Sequence, residues 1–167
     1  MINIILIILL VAFSAMFSSC ETAFSTVNKM RLKNNADQGS AKAAKALRLA
    51  ESFDNSLTTI LIGNNIVNIA STSISTVLFT DLFGAKGVGI ATVVMTVVVL
   101  IFGEILPKTF AKENSEKCAY FFAGPLSALI VLFTPLSFIF SAIKNIVSKL
   151  YASSEKTPSV TEDELKC

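Results

Sequence analysis

Long stretches without charge are the feature that most constrains this chain. Residues 55–80, 87–103 and 118–143 contain no Asp, Glu, Lys or Arg, and residues 2–27 contain only Glu21. A bilayer core of about 30 Å needs roughly 20 helical residues, so each stretch is long enough, or nearly so, to cross it. Charged residues make up 16% of the chain, against about 25% in soluble domains. We therefore predict an all-α integral membrane protein that forms one bundle.

Several functional classes are excluded by what the sequence lacks. It contains no histidine, which excludes His-ligated transition metals and imidazole catalysis. Cys20, Cys118 and Cys167 have no paired spacing, so neither a disulfide framework nor a soft-metal site is expected. No nucleophile–base pair, phosphate-binding loop or hydrophilic nucleic-acid-binding domain is recognisable. We expect no enzyme and no nucleic-acid partner.

The first apolar stretch is interpreted as a retained membrane helix. Its start lacks the basic residues of a secretory signal. Phe17-Ser18-Ser19-Cys20 resembles a lipoprotein cleavage site, so a lipoprotein with modified Cys20 stays an alternative, although the apolar run continues to Val27. Ser14, Ser18, Glu21 and Ser25 share one helical face. The spacing suggests helix packing for Ser14, whereas Glu21 is costly in a membrane and needs a cavity or a partner.

A polar loop follows, with six basic and three acidic residues between positions 28 and 54. Its alanines favour helix, and a turn before Ser40 divides it, so we predict two short helices with Ser40 capping the second. The positive-inside rule places the loop in the cytoplasm and the N-terminus outside. Binding of anionic lipid is the functional alternative to a simple topology signal.

The second predicted span, about residues 55–80, is unusually polar. Asn64, Asn65 and Asn68 fall within five positions, and Gly63 is expected to loosen the helix beside them. Such a segment survives in lipid when it lines a cavity or bonds to another helix. Both an ion site and simple interhelical hydrogen bonding remain open.

The third predicted span, about residues 87–106, ends in a carboxylate beside a proline. Gly103 and Glu104 precede Pro107, where we expect the helix to break, and Lys108 agrees with a cytoplasmic end. Residues 118–143 could cross a fourth time. Gly124-Pro125 and Thr134-Pro135 are expected to interrupt that helix, and lysines follow it, which favours a helix in the membrane plane over a full crossing.

The inward-facing polar groups of the three spans are all oxygen donors: Ser18 and Glu21, then Asn64, Asn65 and Asn68, then Gly103 and Glu104. Such ligands suit Mg²⁺, Ca²⁺ or Na⁺. One or two carboxylates with retained waters is the usual arrangement for Mg²⁺. Backbone carbonyls freed near Gly63 and from Gly103 to Pro107 can add ligands.

One motif lies in each span: Phe17-Ser18-x-x-Glu21-Thr22-Ala23-Phe24, Gly63-Asn64-Asn65-x-x-Asn68 and Gly103-Glu104-Ile105-x-Pro107-Lys108. Together they resemble the transmembrane module of the CNNM/CorC magnesium transporter family over residues 1–150. The resemblance implies a homodimer of three-span protomers in the plasma (inner) membrane that exports Mg²⁺, coupled to inward Na⁺. It implies ion ligands at Ser18, Asn64, Gly103 and Glu104. It leaves coupling or supporting roles for Glu21, Asn65, Asn68 and Pro107.

The resemblance implies that family members continue into cytoplasmic nucleotide-binding domains. We expect residues 151–167 to be a polar, acidic linker that stops before them, and nucleotide to act only through those domains. A non-conducting membrane anchor and dimerisation module for a cytoplasmic sensor is the competing interpretation of the polar stripes.

Overall fold

The fold is helical throughout the part of the chain that the structure, a computed structural model, describes: the backbone of residues 1–152 and the side chains of residues 1–135. Met1–Leu132 forms one compact unit, and a second begins at Phe133. The all-α prediction is therefore confirmed over these residues. The predicted linker falls outside them except for Tyr151 and Ala152.

The first helix and the polar loop match their sequence predictions. Helix α1 spans Ile2–Thr26, α2 spans Lys29–Asp37 and α3 spans Ala41–Glu51. Ser40 caps α3 as predicted, because its Oγ accepts from the Ala43 N–H at 3.3 Å. Asn28 caps α2 in the same way, accepting from the Arg31 N–H at 3.1 Å.

Helix α4 spans Phe53–Phe83 without interruption, so the expected loosening at Gly63-Asn64-Asn65 is wrong. The Asn65 side chain bonds to its own helix, donating to the Leu61 carbonyl at 2.9 Å, and so does not compete with the backbone pattern. Gly63 is buried against the Phe17 ring of α1, and this packing holds the segment in place.

A tight reversal follows, of 3₁₀ form over Gly84–Lys86, with Gly84 at φ +61°. Helix α5, Gly87–Val98, then packs back along α4. Gly87 lies directly against the Phe79 carbonyl, where a side chain would clash. Residues 53–98 therefore form a helical hairpin, as the two predicted spans require.

The helix does not break at Pro107, contrary to the sequence prediction. A π-helical segment, Val99–Ile105, leads from α5 into helix α6, Leu106–Glu113. Pro107 occupies the first turn of α6, where a missing N–H is tolerated. The irregularity expected at the proline lies instead just before it, in the segment that contains Gly103 and Glu104.

Helix α7, Ser115–Ala152, runs through both prolines, so the predicted interruptions at Gly124-Pro125 and Thr134-Pro135 are also wrong. Proline's fixed φ is compatible with a helix, and the cost is one lost hydrogen bond and local crowding. Around Pro125 the packing offsets this cost, because Ala123 and Leu126 are both buried in the main core.

The start of α7 is bound to the preceding helices by named contacts. Cys118 packs with Ala23 of α1 and Ala111 of α6. The Asn35 amide of α2 donates to the Tyr120 hydroxyl at 2.8 Å. Arg31 and Glu116 form an exposed ion pair at 3.0 Å. The first turns of α7 therefore lie against α2 as well as α1.

Three helical stretches among the described residues are long and apolar enough to cross a membrane: Ile2–Thr26, Phe53–Glu113 and Ser115–Pro135. The 61 residues of the second contain the reversal and hence both central predicted spans. Large apolar side chains on these helices are exposed, including Ile8 and Val93, whereas Ser14, Ser18, Ser71 and Ser75 are buried. This inside-out distribution is typical of a membrane protein.

Candidate cation site

Helix α1, helix α4 and the π-helical segment meet at one buried serine. The Ser14 hydroxyl donates to the Asn64 side-chain oxygen at 3.0 Å. A Cβ atom placed on Gly103 would lie 2.9 Å from the same Ser14 Oγ. Asn64 and Gly103, two of the four predicted ion ligands, are thus brought to one point. The sequence assigned Ser14 to helix packing and did not predict this hydrogen bond. The helical face that Ser14 shares with Ser18 was the signal that could have indicated it.

Ser18 lies one helical turn beyond Ser14 and is 1% exposed. Its Oγ has no hydrogen-bond partner among the described residues. A buried hydroxyl without a partner costs about 1–3 kcal/mol, and native structures rarely retain one without reason. The Ser18 oxygen is therefore available to a ligand beside the three-helix contact.

The third side of this contact is formed by the π-helical segment. In the π-helical segment the Leu106 N–H reaches back to the Ile101 carbonyl, five residues away. Pro107 has no N–H and cannot donate the next backbone bond of the series. The contribution of Gly103 through its backbone carbonyl stays a prediction. π-Helical segments of this kind occur frequently at functional sites.

Glu104 is half-buried and lines a pocket of about 270 Å³ between α4 and α5. Thr72 of α4 and Thr96 of α5 line the same pocket, together with Met95, Val99 and Leu100. No Lys or Arg pairs with Glu104 among the described side chains. An uncompensated carboxylate in a membrane segment is a functional-site candidate by default. Thr72 and Thr96 are additional oxygen-bearing residues that the sequence reasoning did not assign to the site.

Glu21 does not share this pocket and has a cationic partner instead. Its Oε2 lies 3.1 Å from Nζ of Lys108 at the start of α6, with both side chains partly exposed. Two residues earlier, the Ser19 hydroxyl donates to the Pro107 carbonyl at 3.4 Å. These contacts join the later part of α1 to α6, next to the loop that carries α2 and α3.

The two remaining asparagines have different environments. Asn65 is exposed, and its amide is bonded within α4, so the structure does not bring it to the three-helix contact. Asn68 has a buried Oδ1 without a partner in the described part of the chain. It lines a shallow pocket that shares Thr72 with the Glu104 pocket. Asn68 therefore extends the polar lining away from Asn64 along α4.

The donor set defines the chemistry that the site can perform. The described residues contain no group of three or more His, Cys, Asp or Glu that could hold a metal ion. The predicted ligands fall in two places: Ser18, Asn64 and Gly103 lie at or beside the three-helix contact, and none of them lines the Glu104 pocket. Together they offer a single carboxylate with hydroxyl, amide and backbone oxygens. Hard cations that keep several waters fit such a set, and tightly caged or soft metals do not.

Sequence comparison relates this chain to one family of known proteins. The family model of the cyclin M transmembrane N-terminal domain matches residues 4–167. A UPF0053 protein of Haemophilus influenzae is 40% identical over 96% of this chain, and the inner membrane protein YfjD of Escherichia coli is 40% identical over 82%. The Escherichia coli polyamine export protein is 26% identical over 99%. The chain spans only 40%, 32% and 39% of the lengths of these three relatives.

Proposed function

The chain belongs to the family of the cyclin M transmembrane N-terminal domain, and on this premise we propose that it is the membrane module of a Mg²⁺ exporter driven by Na⁺. The observation that carries the proposal is the buried, unpartnered Ser18 hydroxyl, one turn from the contact of Ser14, Asn64 and Gly103. A transport role agrees with the name of one relative, the polyamine export protein.

Mg²⁺ suits the donor set because it dehydrates reluctantly and is usually bound by one or two carboxylates with retained water. Glu104 supplies the charge, and Ser18, Asn64 and the Gly103 carbonyl supply neutral oxygens. The pocket beside Glu104, about 270 Å³, leaves room for the waters that such an ion keeps. Asn68 and Thr72 would line the path from this site along α4.

We propose that α2 and α3 are cytoplasmic, with the N-terminus outside, because the basic residues concentrate in this loop. The contacts of α7 with α2 favour a helix that starts in the membrane plane at this level. The inner-membrane relative supports placement in the plasma membrane, and a homodimer follows from the family resemblance. Cytoplasmic Mg²⁺ would then enter from the side where Glu21 meets Lys108.

Movement of α1 against α6 would change access to the site, and Glu21 lies on that contact. We expect Glu21→Gln to reduce Mg²⁺ affinity by less than about 10-fold, the smallest loss typical of groups that support metal ligands, since Glu21 is paired away from the Glu104 pocket. Transport should lose its dependence on the Na⁺ gradient. The measurement is Mg²⁺ efflux from proteoliposomes with and without that gradient.

Lys108→Gln is the matched control for Glu21→Gln, because it breaks the same ion pair and keeps the carboxylate. If Lys108→Gln retains Na⁺ dependence and Glu21→Gln loses it, the carboxylate itself takes part in coupling. Equal loss in both variants would assign the effect to the ion pair, and retention in both would exclude Glu21 from the coupling step.

A polyamine is the second candidate cargo, favoured by the mixed lining of the Glu104 pocket. Thr72, Thr96 and the carboxylate provide polar contacts, while Met95, Val99 and Leu100 suit the methylene chain of an organic cation.

The competing class is a membrane anchor without conduction, in which the buried serines only join helices.

One flux experiment separates these functions. The chain in proteoliposomes should move Mg²⁺ down an imposed gradient, and an opposing Na⁺ gradient should accelerate it. Spermidine offered in place of Mg²⁺ should neither move nor compete. Spermidine flux with inert Mg²⁺ would identify the organic cation as cargo. Absence of any flux, together with absence of Mg²⁺ binding, would establish the anchor.

A further inference from the structure

A basic pocket lies between α3 and the first turns of α7, apart from the cation site. Its volume is about 370 Å³. The residues that line it are Ala41, Lys42, Lys45, Tyr120, Phe121, Ala123 and Gly124. We propose that this pocket binds the phosphate headgroup of an anionic phospholipid.

The two helices that form the pocket are held in fixed positions. Ala46 and Ala50 of α3 and Ala119 and Ala123 of α7 belong to one buried cluster, each 2% exposed or less. Small residues on both helices allow close approach of their backbones. The Asn35–Tyr120 hydrogen bond fixes α7 from the side of α2. The pocket is therefore a feature of the packed fold and not a gap between independent segments.

Charge on one wall of the pocket makes it complementary to an anion. Lys42 and Lys45 are exposed, and neither forms an ion pair with any side chain that the structure describes. Ala41 and Lys42 also form the first turn of α3, whose free N–H groups carry partial positive charge. Two unpaired cations and a helix start together attract a phosphodiester more strongly than either lysine alone.

The opposite wall is suited to the apolar part of a lipid. Phe121 is 74% exposed, although it lies beside the fully buried Ala119 and Ala123. Gly124 has no atom within 4 Å of the position that a Cβ would take, so the pocket stays open beside it. A phosphate over the lysines would place the adjoining glycerol and acyl carbons near Phe121.

The position of the pocket along the molecule selects a lipid over a soluble anion. Helix α1 ends at Thr26 and α4 begins at Phe53, so α2 and α3 lie at one end of two membrane-crossing helices. Phospholipid headgroups occupy this level of a bilayer. Basic residues near an anionic membrane surface contribute about 1 kcal/mol each, which is about fivefold in affinity.

The test measures lipid binding to the purified full chain in neutral detergent by native mass spectrometry. Phosphatidylglycerol should bind as a discrete adduct, and phosphatidylcholine at the same concentration should not. Lys42→Gln with Lys45→Gln should weaken phosphatidylglycerol binding about 25-fold, by the same estimate for two charges. Ala41→Phe, which adds a bulky side chain to the pocket lining without changing charge, should also weaken phosphatidylglycerol binding.

The matched control is Lys29→Gln with Lys33→Gln, which removes two exposed charges from α2, outside the pocket. This control should bind phosphatidylglycerol as the parent does. Equal losses in control and pocket variants would reduce the effect to general surface charge and overturn the proposal. Undiminished binding by folded Ala41→Phe, verified by circular dichroism and gel filtration, would place the lipid elsewhere and overturn it too.

Discussion

Replacing Glu104 with Gln should weaken Mg²⁺ binding by at least about 100-fold. The two side chains have the same shape, so the substitution removes the negative charge and retains one oxygen. Glu104 has no cationic partner among the described side chains, and no other acidic residue lines its pocket. Changes in groups that only support metal ligands cost about 10–100-fold, so loss of the charged ligand itself should cost at least the upper value. Isothermal titration with Mg²⁺ measures the affinity directly.

Glu113→Gln is the matched control, since Glu113 is exposed at the end of α6 and outside the pocket. It should retain the Mg²⁺ affinity and the efflux of the parent. The same efflux assay should show Glu104→Gln inactive at Mg²⁺ concentrations that saturate the parent. An affinity for Glu104→Gln within about 10-fold of the parent would exclude Glu104 as a ligand, since even groups that only support metal ligands cost about 10–100-fold.

The fold was predictable where a local sequence signal was not overridden by packing between helices. Charge-free stretches marked the membrane helices, and Ser40 capped α3 as its type and position indicated. The failures all concern helix breakers: Gly63, Pro107, Pro125 and Pro135 lie in or at the start of continuous helices. Their local preferences are worth about 1–3 kcal/mol, and packing against neighbouring helices can exceed that. Packing depends on residues distant in sequence, which local patterns do not reveal.

The candidate site, like the fold, was predictable only where a local sequence pattern determined it. Helical spacing correctly placed Ser18 at a buried position, because the spacing of apolar and polar residues determines which side of α1 packs inward. The same reasoning treated Asn64 and Asn65 alike, although they are adjacent and point about 100° apart on the helix. Only the position of α1 shows that Asn64 meets Ser14 while Asn65 remains exposed. The π-helical segment before Pro107 had no sequence signal beyond the proline itself.

The close contact of α1 and α4 leads to the second large effect, on Gly63. A Cβ at this position would overlap three carbons of the Phe17 ring, and Phe17 is 3% exposed within the main core. Overpacking of this kind costs about 1–3 kcal/mol, and alanine gains about 1 kcal/mol over glycine in a helix, so the net cost reaches about 2 kcal/mol. We expect Gly63→Ala to lower the melting temperature in detergent by up to about 8 °C, since the net cost reaches about 2 kcal/mol and 1 kcal/mol corresponds to about 2–4 °C at this chain length. Displacing α1 here should also stretch the adjacent Ser14–Asn64 bond and weaken Mg²⁺ binding.

Gly89→Ala provides the opposite expectation in the same bundle. Gly89 is exposed on α5 with open space around its Cβ position, so alanine should raise the melting temperature through helix propensity alone. Phe17→Leu should partly rescue Gly63→Ala, because it removes the ring that the new methyl group meets, and the double-mutant cycle should show coupling of at least about 0.5 kcal/mol. A rise in melting temperature for Gly63→Ala equal to that of Gly89→Ala would show that the Phe17 ring moves aside without cost. The α1–α4 contact would then be too loose to position Ser14 and Asn64 for an ion.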